Sequence, residues 1–248
     1  MKKAFFLALT VLLLLSCEDM NHKKHATARL IKNAVEDIDG NKYDAVKIGN
    51  QVWMAENLKT TRYADGTEIQ LAKDSIASRY YPGSKSDNVE TYGYLYNWGA
   101  VMHNSPSSNE NPSGVQGICP TGWHVPSTSE WTLLNSAVCS NDKYKCNDCE
   151  SCIAKALASP TGWKASSNDC AIGNNPETNN ATHFSAVPAG AYDSYGWASG
   201  RQGLYPYFGS HAYFWTSSGN LFCLSSYSTG LRFESKTEDG YSVRCVKD

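Results

Sequence analysis

An unbroken apolar run occupies residues 4–15, preceded by Lys2 and Lys3 and followed by Ser16 and Cys17. A basic start, a short apolar stretch and a small residue before cysteine predict a secretory signal over residues 1–16, cleaved so that Cys17 comes first and carries lipid, palmitate included. The run falls short of the roughly 20 residues that span a hydrocarbon core, so a retained transmembrane anchor is the weaker alternative. Leu15 is bulkier than the residue usual at that place. Residues 17–34 are polar without a sustained period and predict a flexible tether with a root-mean-square reach of about 23 Å.

Alternation begins at VEDIDGNKYDAVKIGNQVWMAENL, where Asp39-Gly40 and Gly49-Asn50 predict two turns between short strands. Asp37-x-Asp39-Gly40-Asn41 has the opening of a calcium loop, but the glycine and glutamate such a loop needs further on are missing, so a plain turn is expected. Residues 92–103 place Tyr92, Leu95, Tyr96, Gly99 and Met102 near one helical face, which predicts a helix. Ser127 and Glu130 have capping-box spacing before Trp131, Leu133 and Leu134 and predict a second helix. A shorter helical piece is expected at Ala154-Lys155-Ala156-Leu157-Ala158, stopped by Pro160. From residue 161 onward the pieces HFSAVPAG, AYFWTSS, LFCLSSY, LRF and YSVRCVKD read as short strands joined by long loops.

Charged residues are only 19% of the chain, the net charge is −2, and no run of Lys or Arg offers a phosphate-neutralising surface, so nucleic acid is excluded as a partner. There are nine cysteines. With Cys17 assigned to lipid, an even set remains, and an even set in an exported chain predicts disulfides whose pairing is open. Cys146, Cys149 and Cys152 have the C-x2-C-x2-C spacing of a cluster ferredoxin, but the next ligand position is Ala156. A zinc site would need thiolates kept reduced outside the cytoplasm. A disulfide-stapled insertion over 139–152, closed by Cys139, Cys146, Cys149 and Cys152, is expected instead, with no metal and no cofactor.

The strings IGNQVWMAENL, YGYLYNWGAV, GICPTGWHVPSTSEW, FSAVPAG, FWTSS and SVRCVKD, in that order, resemble the Fibrobacter succinogenes major paralogous domain over about residues 35–248. That resemblance implies one domain of a kind found in surface and secreted bacterial proteins, whose biochemical role is largely undefined. More distantly, Val125-Pro126-Ser127-Thr128-Ser129-Glu130-Trp131 and the terminal Arg244-Cys245-Val246 are similar to strings of the formylglycine-generating sulfatase-modifying proteins, which use a C-type-lectin-like fold. The fold implied is α+β: two helices on a small twisted antiparallel sheet, adjacent N- and C-terminal strands, and long irregular loops stapled by disulfides. Cys119 and Cys245 are then the natural partners. Catalysis of the sulfatase-modifying type would need two neighbouring reactive cysteines, whereas GNLFCLSSYSTG holds only Cys223. Since an exposed thiol would not persist in an oxidising compartment, a Cys170–Cys223 disulfide is expected.

None of the catalytic motifs G-x-S-x-G, H-E-x-x-H or the P-loop occurs, and Glu130 is accounted for by its helix cap. His124, between Trp123 and Val125, reads as a packed, hydrogen-bonded histidine, and no catalytic residue is assigned. Seven Trp and fifteen Tyr point elsewhere. Trp53, Trp98, Trp123, Trp131 and Trp215 read as core. The region 192–211 concentrates rings among small polar residues, a composition suited to a sugar face or a protein epitope. Its expected ligand-binding residues are Tyr195, Trp197, Arg201, Tyr205, Tyr207 and His211. The expectation is a lipid-anchored module of the bacterial outer membrane or cell surface that binds carbohydrate or protein without catalysis. A degenerate sulfatase-modifying-type enzyme and a structural envelope component are the alternatives.

Overall fold

The computed structural model describes residues 27–71, 77–147, 149–194, 204–235 and 240–248. The fold is α+β, with small sheets, few helices and disulfide cross-links. Cys17, the expected signal, Tyr195, Trp197 and Arg201 lie outside the described residues.

The largest sheet has the order β1-β2-β3-β11-β7 and is antiparallel throughout, built from β1 (Arg29–Glu36), β2 (Lys42–Ile48), β3 (Gln51–Met54), β7 (Trp123–His124) and β11 (Val246–Lys247). The turn at Asp39-Gly40 forms as its residues predict. Asp37 accepts hydrogen bonds from the backbone N–H groups of Asp39 and Asn41, from Asn41 Nδ2 and from Tyr43 Oη, while Gly40 takes φ +83°. Both carboxylate oxygens are thereby occupied by donors, which makes this a turn rather than a cation loop.

Two boundaries differ from expectation here. The tether predicted to reach residue 34 gives way to β1 at Arg29, because a bulge between Ile31 and Val35, with Asn33 at φ +48°, breaks the period-two pattern that would have marked a strand. The terminal strands share this sheet without being neighbours, since β2 and β3 separate β1 from β11.

The helix expected over residues 92–103 is divided. It becomes α1 (Val89–Tyr92), β6 (Leu95–Tyr96) and α2 (Trp98–Met102). Gly93 ends α1 at φ +70°, where a Cβ would come within 2.6 Å of the Leu58 carbonyl oxygen, and Asn97 restarts the helix by accepting from the Ala100 N–H at 3.0 Å. Strand β6 joins β5 (Ser78–Tyr80) and β4 (Gln70–Leu71) in a small sheet of order β4-β5-β6.

Of the two expected helices only α3 (Thr128–Cys139) is long, and it opens with the full capping box. Ser127 Oγ accepts from the Glu130 N–H at 3.2 Å, and Glu130 Oε2 accepts from the Ser127 N–H at 2.9 Å. The helix buries Trp131, Leu134 and Val138, with Trp131 stacked on Phe222 at 4.0 Å and tilted over Trp53 at 4.4 Å. The single turn α4 (Ala154–Leu157) follows where Ala and Leu favour it. HFSAVPAG is not a regular strand and contributes isolated bridges instead, Ala186 to Ala158 and Gly190 to Ala212.

A three-stranded antiparallel sheet, β8 (His211–Trp215), β9 (Asn220–Ser225) and β10 (Arg232–Ser235), stands between two buried clusters. Ala212, Phe214, Phe222 and Leu224 join Trp53, Trp131 and Phe184 on one face, and Tyr213, Trp215, Leu221 and Cys223 join Tyr96, Tyr241 and Val243 on the other. Trp53, Trp131 and Trp215 are fully buried and Trp123 is buried, whereas Trp98 is half-buried against Trp215.

Cys119 and Cys245 are bonded, Cα to Cα 5.9 Å, tying the approach to β7 to the last strand. Cys149 bonds Cys152 within the insertion, as expected, but Cys170 bonds Cys146, so the Cys170–Cys223 bridge does not form. Cys223 is a buried free thiol in the middle of β9, held in register between Tyr213 and Arg232, while Cys170 is already taken by Cys146. Cys139 bonds to none of the three cysteines of its insertion, since each is engaged elsewhere.

Arg244, next to Cys245, is fully buried. Its Nε donates to Asn57 Oδ1 at 2.9 Å, Nη2 to the Ser185 carbonyl at 2.7 Å and Nη1 to the Phe184 carbonyl, with the Phe184 and Phe214 rings 4.5 and 5.4 Å from the guanidinium carbon. Burial pushes its pKa down to about 9, so the cation persists at neutral pH.

Candidate functional site

Strand alternation puts His211, Tyr213 and Trp215 of β8 on one face. Their register partners on β9 are Ser225, Cys223 and Leu221, and on β10 Arg232 lies opposite Cys223 and Glu234 opposite Leu221. The Trp215 end of this face is interior, covered by Trp98 and Tyr241 with ring centroids 5.1 Å away in each case.

The His211 end reaches the surface. Tyr207 is 43% exposed and Tyr227 52% exposed, with ring centroids 4.7 and 5.6 Å from the buried His211 imidazole. His211 lies parallel to Tyr213, tilted by 6° at 5.4 Å, and its Nδ1 is 3.0 Å from Ser210 Oγ. Two exposed rings thus flank a buried third and fourth.

The platform is fixed by its backbone. Tyr207 sits at φ +64°, and its carbonyl accepts from the N–H groups of Ser210 and His211 and from Ser210 Oγ. Gly190 lies beneath at φ +68°, donating to the His211 carbonyl, and a Cβ on it would fall 2.6 Å from both Phe208 N and Pro206 O. A preset ring costs less entropy on binding than a mobile one.

Charge around the rings comes from Arg232, Glu234 and Lys164. Burial pushes the His211 pKa down to about 4, and the positive charges of Arg232 and Lys164 press it the same way, so the imidazole is neutral at pH 7. Burial raises the Tyr213 hydroxyl and the Cys223 thiol far above their ordinary ranges, aided in both by Glu234. Cys223 is therefore a protonated, buried thiol, the opposite of what a thiolate nucleophile requires.

The residues expected at the site are divided by this geometry. Tyr207 and His211 come together. Tyr205 is half-buried in a different ring group, 5.4 Å from Tyr192, whose ring stacks on Tyr80 at 3.8 Å. Tyr195, Trp197 and Arg201 remain outside the described residues. Tyr227, Tyr213, Arg232 and Lys164 were missed by sequence reasoning. The period-two spacing of His211 and Tyr213 could have flagged one of them, and the Ser-Tyr-Ser-Thr-Gly turn a second.

His124 forms the other cluster with catalytic appearance. Its Nε2 is 2.7 Å from Glu130 Oε1, and its Nδ1 is 2.7 Å from Asp248 Oδ1. The ring is buried, as expected of a packed histidine. Burial alone would lower its pKa, but the hydrogen bonds and charges of Glu130 and Asp248 outweigh burial and raise it. A histidine raised in the folded state stabilises fully below its unfolded value of about 6.5, and the gain is lost as pH climbs through the folded value. His124→Gln is therefore expected to cost about 3 kcal/mol at pH 5 and less at pH 9 in urea unfolding. A difference that grows with pH would show that the imidazole is not held as a cation.

A cavity of about 260 Å³ beside the β1–β2 turn is lined by Asp37, Arg62, Ile118 and Pro120 among others. Asp37 already has its donors, so the cavity offers little uncommitted chemistry. Among the described residues no group of three or more His, Cys, Asp or Glu side chains is placed to hold a metal ion, and no helix is long and apolar enough to cross a membrane.

The profile of the Fibrobacter succinogenes major domain matches residues 46–247. The chain belongs to that family. Its Fibrobacter succinogenes major domain runs from within β2 to the end of β11 and contains every residue of the tyrosine platform, His124 and Glu130, and the three disulfides described, while Asp248 follows the matched range directly. No curated protein and no solved structure matches the chain.

Proposed function

We propose that this chain is an exported envelope module, held to the bacterial outer membrane or cell surface by lipid on Cys17, which binds carbohydrate through the Tyr207–Tyr227 platform without catalysis. The observation that carries the reading is the pair of exposed tyrosines on either side of a buried neutral histidine, on a backbone locked by Gly190 and Ser210. Flat rings suit the apolar face of a sugar, and neutral imidazole, hydroxyl and guanidinium groups around them suit its hydroxyls. A protein ligand would use the same rings. A C-type-lectin-like architecture is compatible with this reading but would not by itself establish sugar binding. The sulfatase-modifying alternative is disfavoured because the thiol it would use, Cys223, is buried and protonated.

The test is a glycan and cell-wall array probed with the purified full chain. Tyr207→Ala with Tyr227→Ala should weaken binding of the captured glycan at least tenfold and shift the melting temperature little, as exposed substitutions do. Unfolding of the double variant would make the rings structural and remove the reading. In the same cells Cys17→Ser should appear in the soluble fraction, and a cleaved variant that stays on membranes would refute the lipid anchor.

A further inference from the structure

The cationic side of the tyrosine platform has a property that packing does not explain. Arg232 stands in the row Tyr213–Cys223–Arg232, with Nε buried and without a hydrogen-bond partner. Its one ion pair among the described residues is loose, Nη2 to Glu234 at 3.7 Å, between two side chains that are each more than a third exposed. Such a contact contributes little and is readily exchanged.

Ser225, directly across from His211, is 1% exposed, and its Oγ also lacks a partner. Buried polar groups are nearly always satisfied, so the two uncommitted ones on the platform's own face, Arg232 Nε and Ser225 Oγ, mark a place where hydrogen bonds remain to be made.

Lys164 supplies a second cation. It is exposed, its N–H donates to the Gly209 carbonyl at 2.7 Å, and its charge reaches His211 as that of Arg232 does. Among the described residues Arg232 and Lys164 bring two positive charges to His211, against the one negative charge that Glu234 brings to the neighbouring Tyr213 and Cys223. A guanidinium with free N–H groups matches a carboxylate geometrically as well as electrostatically.

Resting on the carbohydrate reading above, we propose that the ligand is an acidic sugar of the uronic acid type, its ring laid on Tyr207 or Tyr227 and its carboxylate paired with Arg232 and Lys164. The carboxylate displaces the weak Glu234 contact, and ring hydroxyls take up the Ser225 side of the hairpin.

The probe is an oligogalacturonate beside its fully methyl-esterified form, which keeps the sugar rings and removes the charge. By titration calorimetry on the full chain, the acid form should bind at least tenfold more tightly than the ester, and the advantage should shrink as salt is raised. Arg232→Gln with Lys164→Gln should bring the acid form down to the ester's affinity, whereas Arg232→Lys should retain most of the preference. The Lys variant also guards against loss of binding through unfolding, as does an unchanged melting temperature. Equal affinity for the two forms, or a preference untouched by the Gln pair, would overturn the acidic assignment while leaving a tyrosine-dependent neutral glycan reading in place. Binding of both forms that survives Tyr207→Ala with Tyr227→Ala, or no binding of either form, would overturn the acidic assignment too. In that event the array with the tyrosine variant decides whether the platform itself survives.

Discussion

Replacing Cys119 and Cys245 together by serine is expected to lower the unfolding free energy by about 5 kcal/mol, the largest loss available from any one cross-link described here. The bond joins residues 126 apart, so the unfolded chain regains the freedom of a very long loop when it is removed. The same chain-entropy argument assigns about 3.5 kcal/mol to Cys146–Cys170 and about 2 kcal/mol to Cys149–Cys152, whose separations are 24 and 3. Both members must be changed together, because a single substitution leaves an unpaired thiol, which at the fully buried Cys119 and Cys245 would stand in the core. Denaturant unfolding of the three double variants should rank them in that order. If the Cys119–Cys245 variant unfolds at nearly the native denaturant concentration, the reference chain is already restrained and the loop argument does not apply to it.

The position of this bond explains its weight. Cys245 sits one residue before β11, the strand that fits between β3 and β7, so the cross-link pins the closing strand of the main sheet to the loop that feeds β7. The His124 cluster pins the same region a second time, through Asp248 to Glu130 at the start of α3. A chain with so few long elements relies on such ties because regular hydrogen-bond ladders cover little of it.

What could be read in advance was local. Asp39-Gly40 makes its turn because glycine takes the positive φ, and Ser127 with Glu130 caps α3 because both reciprocal bonds form within one helical turn. What failed depended on distant partners. Residues 92–103 have helical spacing, but Gly93 must pass against the Leu58 backbone and Tyr96 must pair with Tyr241, and neither constraint is visible locally. Strand β1 was hidden by its own bulge. Cysteine pairing followed the fold rather than compartment logic, and the one expected pair that formed was implied by family resemblance. The binding platform shows the same division. Tyr207 and His211 stood out as rings among small polar residues, whereas Tyr227, Arg232 and Lys164 arrive from a hairpin tip, an edge strand and a loop through the register of β8, β9 and β10.

Arg244→Met is expected to cost about 4 kcal/mol, although methionine is of similar length and better suited to an apolar interior. Exchange of a buried ion pair for well-packed hydrophobes is often neutral, but Arg244 is not half of such a pair: its described contacts are carbonyl oxygens, an amide oxygen and two aromatic faces. Methionine would leave the Phe184 and Ser185 carbonyls and Asn57 Oδ1 without that donor, and each buried acceptor so stranded costs about 1–3 kcal/mol. Against this stands the relief of a cation that burial has already pushed down to about 9, which is why the net loss stays below the sum of the stranded groups. Arg244→Lys keeps the charge but offers a single ammonium to acceptors arranged around a planar fork, and should fall between native and Met. Urea unfolding at pH 7 checks the order. A Met variant as stable as the native chain would mean that the acceptors find other donors and that the buried cation is dispensable to the fold.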